Sequence, residues 1–380
     1  MAYIGNSPVQ DETVSSAQII DGAIVNADIN SSAAIALSKT ALVAGTGITL
    51  ATNTLNLDAA QTGITSLLAT DIKIGEDDQT KIDFETADEI HLYAGNAQRF
   101  NIDANSKISL SNNDSGGTGG FNSLTGNTFL GYLAGQDIAS GGVNNTMFGQ
   151  AGTDTTTGDY NVYIGSRAGY ANTIGQFNVA IGDEVLNTDD VGDGSVGIGL
   201  QSLYSQNSDS NNERTGNVAL GMETSFHNVT GQNNTAIGYL SMKGSSGNSH
   251  SGNTAVGSNA LLAVSTGSNN VAVGYQAGDS VSDGSENVII GDGAGQTTSS
   301  VAQAVIIGRG AAQNGNITTA ANGTVAVGYK ALEALTTGSN NTAVGFETLK
   351  VEDVGQYSTA VGYQALTAQT ADHSATDAGN

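Results

Sequence analysis

The sequence contains no Cys, no Trp and a single Pro in 380 residues, and each shortage excludes a class of protein. Without Cys the chain has no disulfides, thiolate metal ligands or Cys nucleophiles, so the redox compartment cannot be inferred. One Pro excludes a collagen triple helix although Gly reaches 52 residues, and a hydrophobic content of 38% argues against disorder. The glycines must therefore occupy defined positions, which indicates a repeat.

Basic side chains are also scarce, with 11 Lys and Arg against 36 Asp and Glu and a net charge of -25. Binding of nucleic acid or of an anionic membrane surface needs clustered cations, so both are excluded as partners. The N-terminus resembles no signal peptide, and no apolar run approaches the roughly 20 residues of a membrane-spanning helix. We expect a protein that is made in a cytoplasm and does not insert into a membrane. The acidic excess is interpreted as a solubility device.

The repeat has the form Asn-(Thr/Val)-Ala-(Val/Ile)-Gly-x-x-Ala-(Leu/Gly), followed by a polar turn. Its first Gly occurs fourteen times, and 17 residues separate successive copies in eight of the thirteen intervals. Within residues 341–345, period-two alternation places Thr342 and Val344 on one face of a strand and Ala343 and Gly345 on the other. Strands this short need stacking, so the repeat predicts a solenoid with one coil per unit. The fourteen glycines are Gly131, Gly149, Gly165, Gly182, Gly199, Gly221, Gly238, Gly257, Gly274, Gly291, Gly308, Gly328, Gly345 and Gly362.

Three other positions of the unit have interpretations. Ten units begin with Asn, whose amide is expected to bond its own turn and the equivalent Asn one coil away. The Ala three residues after the Gly, such as Ala277, should allow close approach of neighbouring backbones. An aromatic often follows the Gly and either covers the core edge or offers a platform for sugars; these residues are Tyr132, Tyr239, Tyr275, Tyr329, Phe346 and Tyr363.

Fourteen coils spaced by about 4.8 Å would give a rod of about 65 Å. Coils with such small inward side chains enclose a thin core, so association around an axis would bury more surface per residue. We expect a homotrimer, although the residues alone give the need for partner chains and not their number. The fold prediction is thus all-β: a fibrous homotrimer with a parallel β-roll or β-helix shaft of fourteen coils.

The units Asn-Thr-Ala-Val-Gly-Ser-Asn-Ala-Leu at residues 253–261 and Asn-Val-Ala-Val-Gly-Tyr-Gln-Ala-Gly at residues 270–278 carry a resemblance. They resemble head repeats of trimeric autotransporter adhesins and repeats in tail fibres of marine bacteriophages. The resemblance implies a left-handed parallel β-roll that is trimeric about its axis. The family unit is usually shorter than the unit here.

Two regions precede the repetitive shaft of residues 120–380. Residues 1–45 include Ile-Asp-Gly-Ala-Ile at 20–24, which resembles segments near the N-termini of phage fibres and implies a stem or docking on a larger assembly. A weakly ordered arm is the alternative for this segment. Residues 46–119 begin with Gly-Ile-Thr-Leu at 47–50 and continue with apolar pairs every 8 to 10 residues, which predicts a β-meander with one buried face. The pairs are Ile72/Ile74, Ile82/Phe84, Ile90/Leu92, Phe100/Ile102 and Ile108/Leu110. Residues 71–94 closely resemble a module of structural and fibre proteins of marine tailed phages.

No enzyme motif is evident, and we expect no catalytic residue, no cofactor-binding residue, no metal ligand and no cofactor. A nucleophile elbow is missing, and His91, His227, His250 and His373 follow no zinc-site spacing, although one of them could bind an ion near a trimer axis. Gly291-Asp-Gly-Ala-Gly resembles a fragment of a phosphate-binding loop but falls in register with the repeat. The acidic run at residues 189–193 could bind calcium, but a solvated turn is preferred.

These observations predict a non-enzymatic structural tail fibre of a tailed bacteriophage, located in the virion and mediating or positioning attachment to the host cell. Its expected partners are two further copies of the chain, phage tail or adaptor proteins bound by the N-terminal region, and a glycan or protein of the host surface. One alternative is a bacterial-adhesin-like binding module that acts through exposed turns. Another is a polysaccharide depolymerase tailspike, whose paired carboxylates would meet only in three dimensions. Residues 372–380 offer none of the anchoring β sequence that an autotransporter adhesin needs.

Overall fold

The computed structural model describes residues 48–51, 54–57, 73–75, 81–83, 90–94, 97–102, 108–110, 126–138, 141–211, 213–315 and 317–370. Its regular structure is β, apart from a 3-10 helix at Thr319–Ala321, so the all-β prediction is confirmed over these ranges. The chain divides between Ile72 and Lys73 into two compact units, which are described separately. The predicted attachment segment, residues 1–45, lies outside the described residues, and the predicted boundaries at residues 45 and 119 stay predictions.

The first unit contains an antiparallel hairpin of β1 (Ile48–Ala51) and β2 (Thr54–Leu57). Ile48 pairs with Leu57 and Ala51 with Thr54, so the short strand expected at residues 47–50 is present one residue further along the chain.

The second unit begins with a five-stranded antiparallel sheet in sequence order, β3 to β7, which is the predicted meander. Its strands are β3 (Lys73–Gly75), β4 (Lys81–Asp83), β5 (Ile90–Ala94), β6 (Ala97–Ile102) and β7 (Ile108–Leu110). Ile82 pairs with Leu92, which in turn pairs with Phe100, so the apolar residues line up across the sheet. Ile90 and Leu92 are more than a third exposed, so the buried face expected for the meander is not found at these two described residues.

The repeat region forms one fourteen-stranded parallel sheet in which every strand pairs with the strands before and after it in the chain. Equivalent residues of successive units pair, as Val271 does with Val288, so each unit is one coil and the predicted solenoid is confirmed. Its strands are β8 (Thr128–Leu130), β9 (Thr146–Gln150), β10 (Val162–Ser166), β11 (Val179–Ile181), β12 (Val196–Ile198), β13 (Val218–Leu220), β14 (Thr235–Ile237), β15 (Thr254–Val256), β16 (Val271–Val273), β17 (Val288–Ile290), β18 (Val305–Ile307), β19 (Val325–Val327), β20 (Thr342–Val344) and β21 (Thr359–Val361).

The solenoid core is thin because the inward position of the strand is usually small. The middle residue is a buried Ala in eight strands, for example Ala272 in β16. Residues of the returning turns, such as Leu261 and Val264, pack against these alanines from the opposite side. The predicted Ala after the Gly is part of the same core, and Ala277 is fully buried.

The Gly that ends each strand allows the coils to stack. Gly274 has a φ of 138°, which L side chains rarely adopt, and a Cβ added there would lie 2.5 Å from the carbonyl oxygen of Gly291 in the next coil. Gly257 and Gly291 are in the same situation towards their own neighbours. The glycine column therefore sets both the bend of the chain and the distance between coils.

A column of buried Asn side chains joins the coils at the start of the strands. Asn270 Nδ2 donates to Gly284 O at 2.8 Å and to Asn253 Oδ1 at 3.1 Å, while Asn270 Oδ1 accepts from the Asn287 backbone N–H at 3.1 Å. The bond to the equivalent Asn one coil away is as predicted. The bond to the turn is also as predicted, because Gly284 lies in the polar turn that ends the unit begun by Asn270 and leads into the next coil. Both bonds thus tie successive coils together. Ten such residues are Asn127, Asn145, Asn161, Asn178, Asn217, Asn234, Asn253, Asn270, Asn287 and Asn341.

Candidate association surface and ligand cavity

The outward side of the parallel sheet is a continuous apolar surface. We call the first and third residues of β8 to β21 the outer strand face. All fourteen third positions and eight of the fourteen first positions carry Val, Ile, Leu or Phe, and the other six first positions carry Thr. The face therefore holds no charged residue, in a chain whose net charge is -25.

Most side chains of the outer strand face are half-buried by the coils above and below, and several, including Ile237, Val271 and Ile290, are more than a third exposed. At a strand spacing of about 4.8 Å, the fourteen strands extend the face over about 60 Å, and a width of about 10 Å gives an area of about 600 Å². Parallel sheets are almost always covered on both faces, and patches of this size usually mark an interaction surface. The outer strand face is thus a candidate association surface.

Aromatic side chains from successive coils stack on one another along the solenoid. The rings of Tyr329 and Phe346 are 5.0 Å apart, and those of Phe346 and Tyr363 are 5.3 Å apart. These three are among the aromatics that the sequence predicted. The other three, Tyr132, Tyr239 and Tyr275, are exposed, and none of them stacks on another ring within the described part of the chain.

A second exposed stack was not predicted. Tyr160 and Phe177 have ring centroids 5.1 Å apart and planes within 5° of parallel. Both residues lie one position before the Asn that opens the strand, and not after the Gly, so the repeat consensus did not reveal them. The signal present in the sequence is their 17-residue separation, which is the commonest interval of the repeat.

A cavity of about 620 Å³ opens beside Phe177. Its wall is formed by Phe177, Arg214, Gln176, Asn233 and Asp193, and Gly194 and Gly216 occupy the two intervening coils. We call this space the Phe177 cavity. Its volume is within the range of about 300 to 1,000 Å³ that is usual for small-molecule sites.

The acidic run at residues 189–193 borders this cavity through Asp193. The solvated turn expected there is wrong for two of its carboxylates, because Asp189 and Asp193 are buried. Asp193 Oδ1 accepts from the Gln176 backbone N–H at 2.7 Å, and Asp189 Oδ2 accepts from Gln206 Nε2 at 2.8 Å. Burial raises the pKa of Asp193, against the opposing effect of the Gln176 hydrogen bond. These carboxylates therefore join coils to one another.

The described histidines lie apart from one another. His250 is buried in the turn that the Asn column contacts, where Asn234 Nδ2 donates to its carbonyl oxygen at 2.7 Å, and burial lowers the pKa of its ring to about 4. Burial and the nearby Lys243 ammonium lower the pKa of His227. Over the described ranges, no group of three or more His, Asp or Glu residues could hold a metal ion. The phosphate-loop-like residues 291–295 form a turn after β17, as the repeat register predicted.

Within the part of the chain that is described, no helix has the length and apolar character needed to cross a membrane. No family model, no curated protein and no solved structure matches the chain.

Proposed function

We propose that the chain is a non-enzymatic structural tail fibre of a tailed bacteriophage, which assembles as a homotrimer and mediates or positions attachment to the host cell. The single observation that carries the proposal is the outer strand face, which runs uncharged along all fourteen coils. The resemblance of the repeats to trimeric fibre proteins and of residues 71–94 to a phage fibre module supports the same assignment.

The need for partner chains follows from the uncovered outer strand face. Within one chain, nothing in the described residues covers this face, and exposing it fully to water would leave about 600 Å² of β-branched surface hydrated. A stable protein interface buries about 800 Å² on each partner. In a trimer each chain has two neighbours, so the face would supply about 300 Å² to each interface and flanking residues would supply the rest. Rotation about an axis parallel to the solenoid lets identical faces meet and closes the assembly. The number three comes from the resemblance.

The bonds between coils suit a shaft that transmits force. Each Asn of the buried Asn column contributes hydrogen bonds to the next coil. These add to the backbone bonds between coils, such as that from Gly291 N to Val273 O at 2.8 Å. Cations and carboxylates of neighbouring coils add further ties, as between Lys243 and Glu223 at 2.6 Å. Bending or extending the solenoid would strain many of these bonds together. A shaft of this kind can present several weak contacts at once and gain affinity through effective concentration.

The function is tested on the phage that encodes the chain. Gold-labelled antibody against residues 126–370 should decorate a tail fibre of intact virions, and purified protein should compete with virions for adsorption to host cells. Label on no part of the tail would contradict the virion assignment. Release of reducing sugar from the host envelope by the purified protein would replace the passive fibre with the depolymerase alternative.

A further inference from the structure

The Phe177 cavity interrupts a regular column of turn residues. In each coil, the residue before the position of the Asn column, which directly precedes the strand, has a φ between 57° and 73°, in the left-handed region. Most coils place Gly, Asn, Gln or Glu there, whereas Tyr160, Phe177 and Tyr357 are aromatic. Left-handed backbone costs a bulky L residue about 1 to 2 kcal/mol. Burial offsets this cost for Leu203, which is fully buried, whereas Phe177 is 57% exposed and is contacted on one face by the stacked Tyr160 ring.

The two coils after Phe177 carry Gly194 and Gly216 in this column, and the third carries Asn233. The aromatic stack that begins at Tyr160 therefore ends at Phe177, and the next two levels hold no side chain. At about 4.8 Å per coil, the gap between the Phe177 and Asn233 levels is about 14 Å. A Cβ added at Gly194 would meet no atom within 4 Å, so the space beside the Phe177 ring is open.

Arg214 differs from the other cations of the solenoid. Arg167, Lys243, Arg309, Lys330 and Lys350 each form an ion pair with a carboxylate. Arg214 is exposed and lines the cavity together with Asp193, whose pKa its charge acts to lower, but it forms no ion pair within 4 Å among the described residues. In a chain with so few cations, a guanidinium that forms no direct ion pair and shares a cavity with an exposed aromatic ring is suited to an anionic group, which it can bind with two parallel hydrogen bonds.

We propose that the Phe177 cavity binds a carboxylate-bearing sugar of a surface polysaccharide, with the sugar ring on the face of Phe177 and its carboxylate on Arg214. Gln176 and Asn233 line the same cavity, and an amide side chain can offer both donors and acceptors to hydroxyl groups. An aromatic peptide side chain would match Phe177 but would leave these amides without partners, so the polar lining favours a sugar. This inference rests on the proposed role in host attachment and assigns that role a site.

The equivalent turn positions of other coils offer a matched control for a substitution of Phe177. Phe177→Asn removes the ring and introduces the residue that stands at the same place in other coils, as Asn269 does. Tyr357→Asn makes the same change at a φ of 58°, next to the 59° of Phe177, and leaves the cavity untouched. Gly194→Tyr fills the gap with one more ring of the stack. Arg214→Gln removes the charge and keeps a polar side chain.

Binding is measured by titration calorimetry with oligosaccharides of glucuronic and galacturonic acid and with the same oligosaccharides after reduction of their carboxyl groups. We expect the wild-type protein and Tyr357→Asn to bind the acidic forms, and Phe177→Asn and Gly194→Tyr to bind at least tenfold more weakly. Arg214→Gln should bind the acidic and reduced forms equally. Equal binding by Phe177→Asn and Tyr357→Asn, or no binding of either acid by the wild-type protein, would overturn the proposal.

The adsorption experiment separates this inference from the proposed function. Host adsorption that is retained in Phe177→Asn leaves the fibre assignment standing and overturns the site. Binding of acidic sugar by a protein that labels no part of the virion leaves the site standing and overturns the fibre assignment. Binding of an acidic, Tyr-containing peptide that is lost in Gly194→Tyr, with no binding of sugars, would assign the cavity to a protein partner and contradict the sugar.

Discussion

Replacing Gly274 with Ala tests whether the glycine column sets the spacing of the coils, and Gly362→Ala is its matched control. Both glycines end a strand with similar backbone angles, a φ of 138° at Gly274 and 128° at Gly362. A Cβ at Gly274 would lie 2.5 Å from the oxygen and 2.7 Å from the carbon of the Gly291 carbonyl, whereas a Cβ at Gly362 meets no described atom within 4 Å. The two variants therefore share the backbone strain and differ in the clash.

The size of the effect follows from the contacts. The strained φ costs Ala about 1 to 3 kcal/mol at either position. Relieving the clash at Gly274 requires the two coils to separate by about 1 Å, because carbon atoms in contact prefer about 3.5 Å or more. That movement stretches the bond from Gly291 N to Val273 O, now 2.8 Å, beyond hydrogen-bonding range. Each buried group left without a partner costs about 1 to 3 kcal/mol. We expect a loss of about 5 kcal/mol for Gly274→Ala and about 2 kcal/mol for Gly362→Ala.

Hydrogen exchange is the suitable assay, because a stack of coils need not unfold in one cooperative step. Exchange of the amides at residues 271–291 reports the free energy of opening at the site of the clash, and exchange at residues 128–150 serves as an internal reference. Gly274→Ala should accelerate exchange strongly at residues 271–291 and leave the distant coils little changed. Losses that agree within about 1 kcal/mol for Gly274→Ala and Gly362→Ala would refute the steric explanation.

Two further predictions concern the buried turn contacts. Asn270→Ala should lower the local free energy of opening, measured by hydrogen exchange, by about 3 kcal/mol, because it leaves buried groups of both neighbouring coils without partners. Asn269→Gly changes an exposed, left-handed residue next to it and should be nearly neutral. Equal effects of the two substitutions would contradict the role of the Asn column. The pKa of His250 is about 4 in the folded state and 6.5 in the unfolded state. Between these pH values the unfolded chain binds more protons than the folded chain. The free energy of unfolding should therefore fall by about 3 kcal/mol as the pH drops from 6.5 to 4. His250→Val introduces the side chain that the buried Val301 has at the equivalent position of another coil. In urea unfolding, this variant should lack the part of the pH dependence of stability that comes from His250. The contribution of the carboxylates is common to both proteins and cancels when the two are compared. An unchanged difference between the two proteins from pH 7 to pH 4 would contradict the burial of a neutral ring.

The solenoid was predictable because its information is local and repeated. Fourteen strand-ending glycines gave fourteen strands, and the alternation in residues 341–345 placed Ala343 inward as the structure does. A single unit carries a weak signal, but stacking requires every unit to satisfy the same geometry. The bonds of the Asn column, to the turn of its own unit and to the equivalent Asn one coil away, were also foreseeable.

The features specific to single coils were harder to predict. The sequence around Asp193 is typical of a solvated acidic turn, yet this residue is buried because Gln176, 17 residues earlier, donates to it from the neighbouring coil. The Phe177 cavity exists because Gly194 and Gly216 stand at the equivalent turn position in the next two coils. This equivalence becomes visible only when the coils are aligned by the positions of the Asn column. The pairing state of Arg214 depends on which carboxylates the neighbouring coils bring close. These properties arise between coils, and a consensus of the units does not contain them.

The central claim is that the outer strand face joins three chains, and sedimentation equilibrium tests it most directly. The wild-type protein should have three times the chain mass of 38.2 kDa. Val273→Glu combined with Ile290→Glu puts charges on the face, and it should shift the mass towards that of one chain, whereas Ser280→Glu, at an exposed turn, should not. A wild-type protein that is folded and has the mass of a single chain at micromolar concentration would contradict the account.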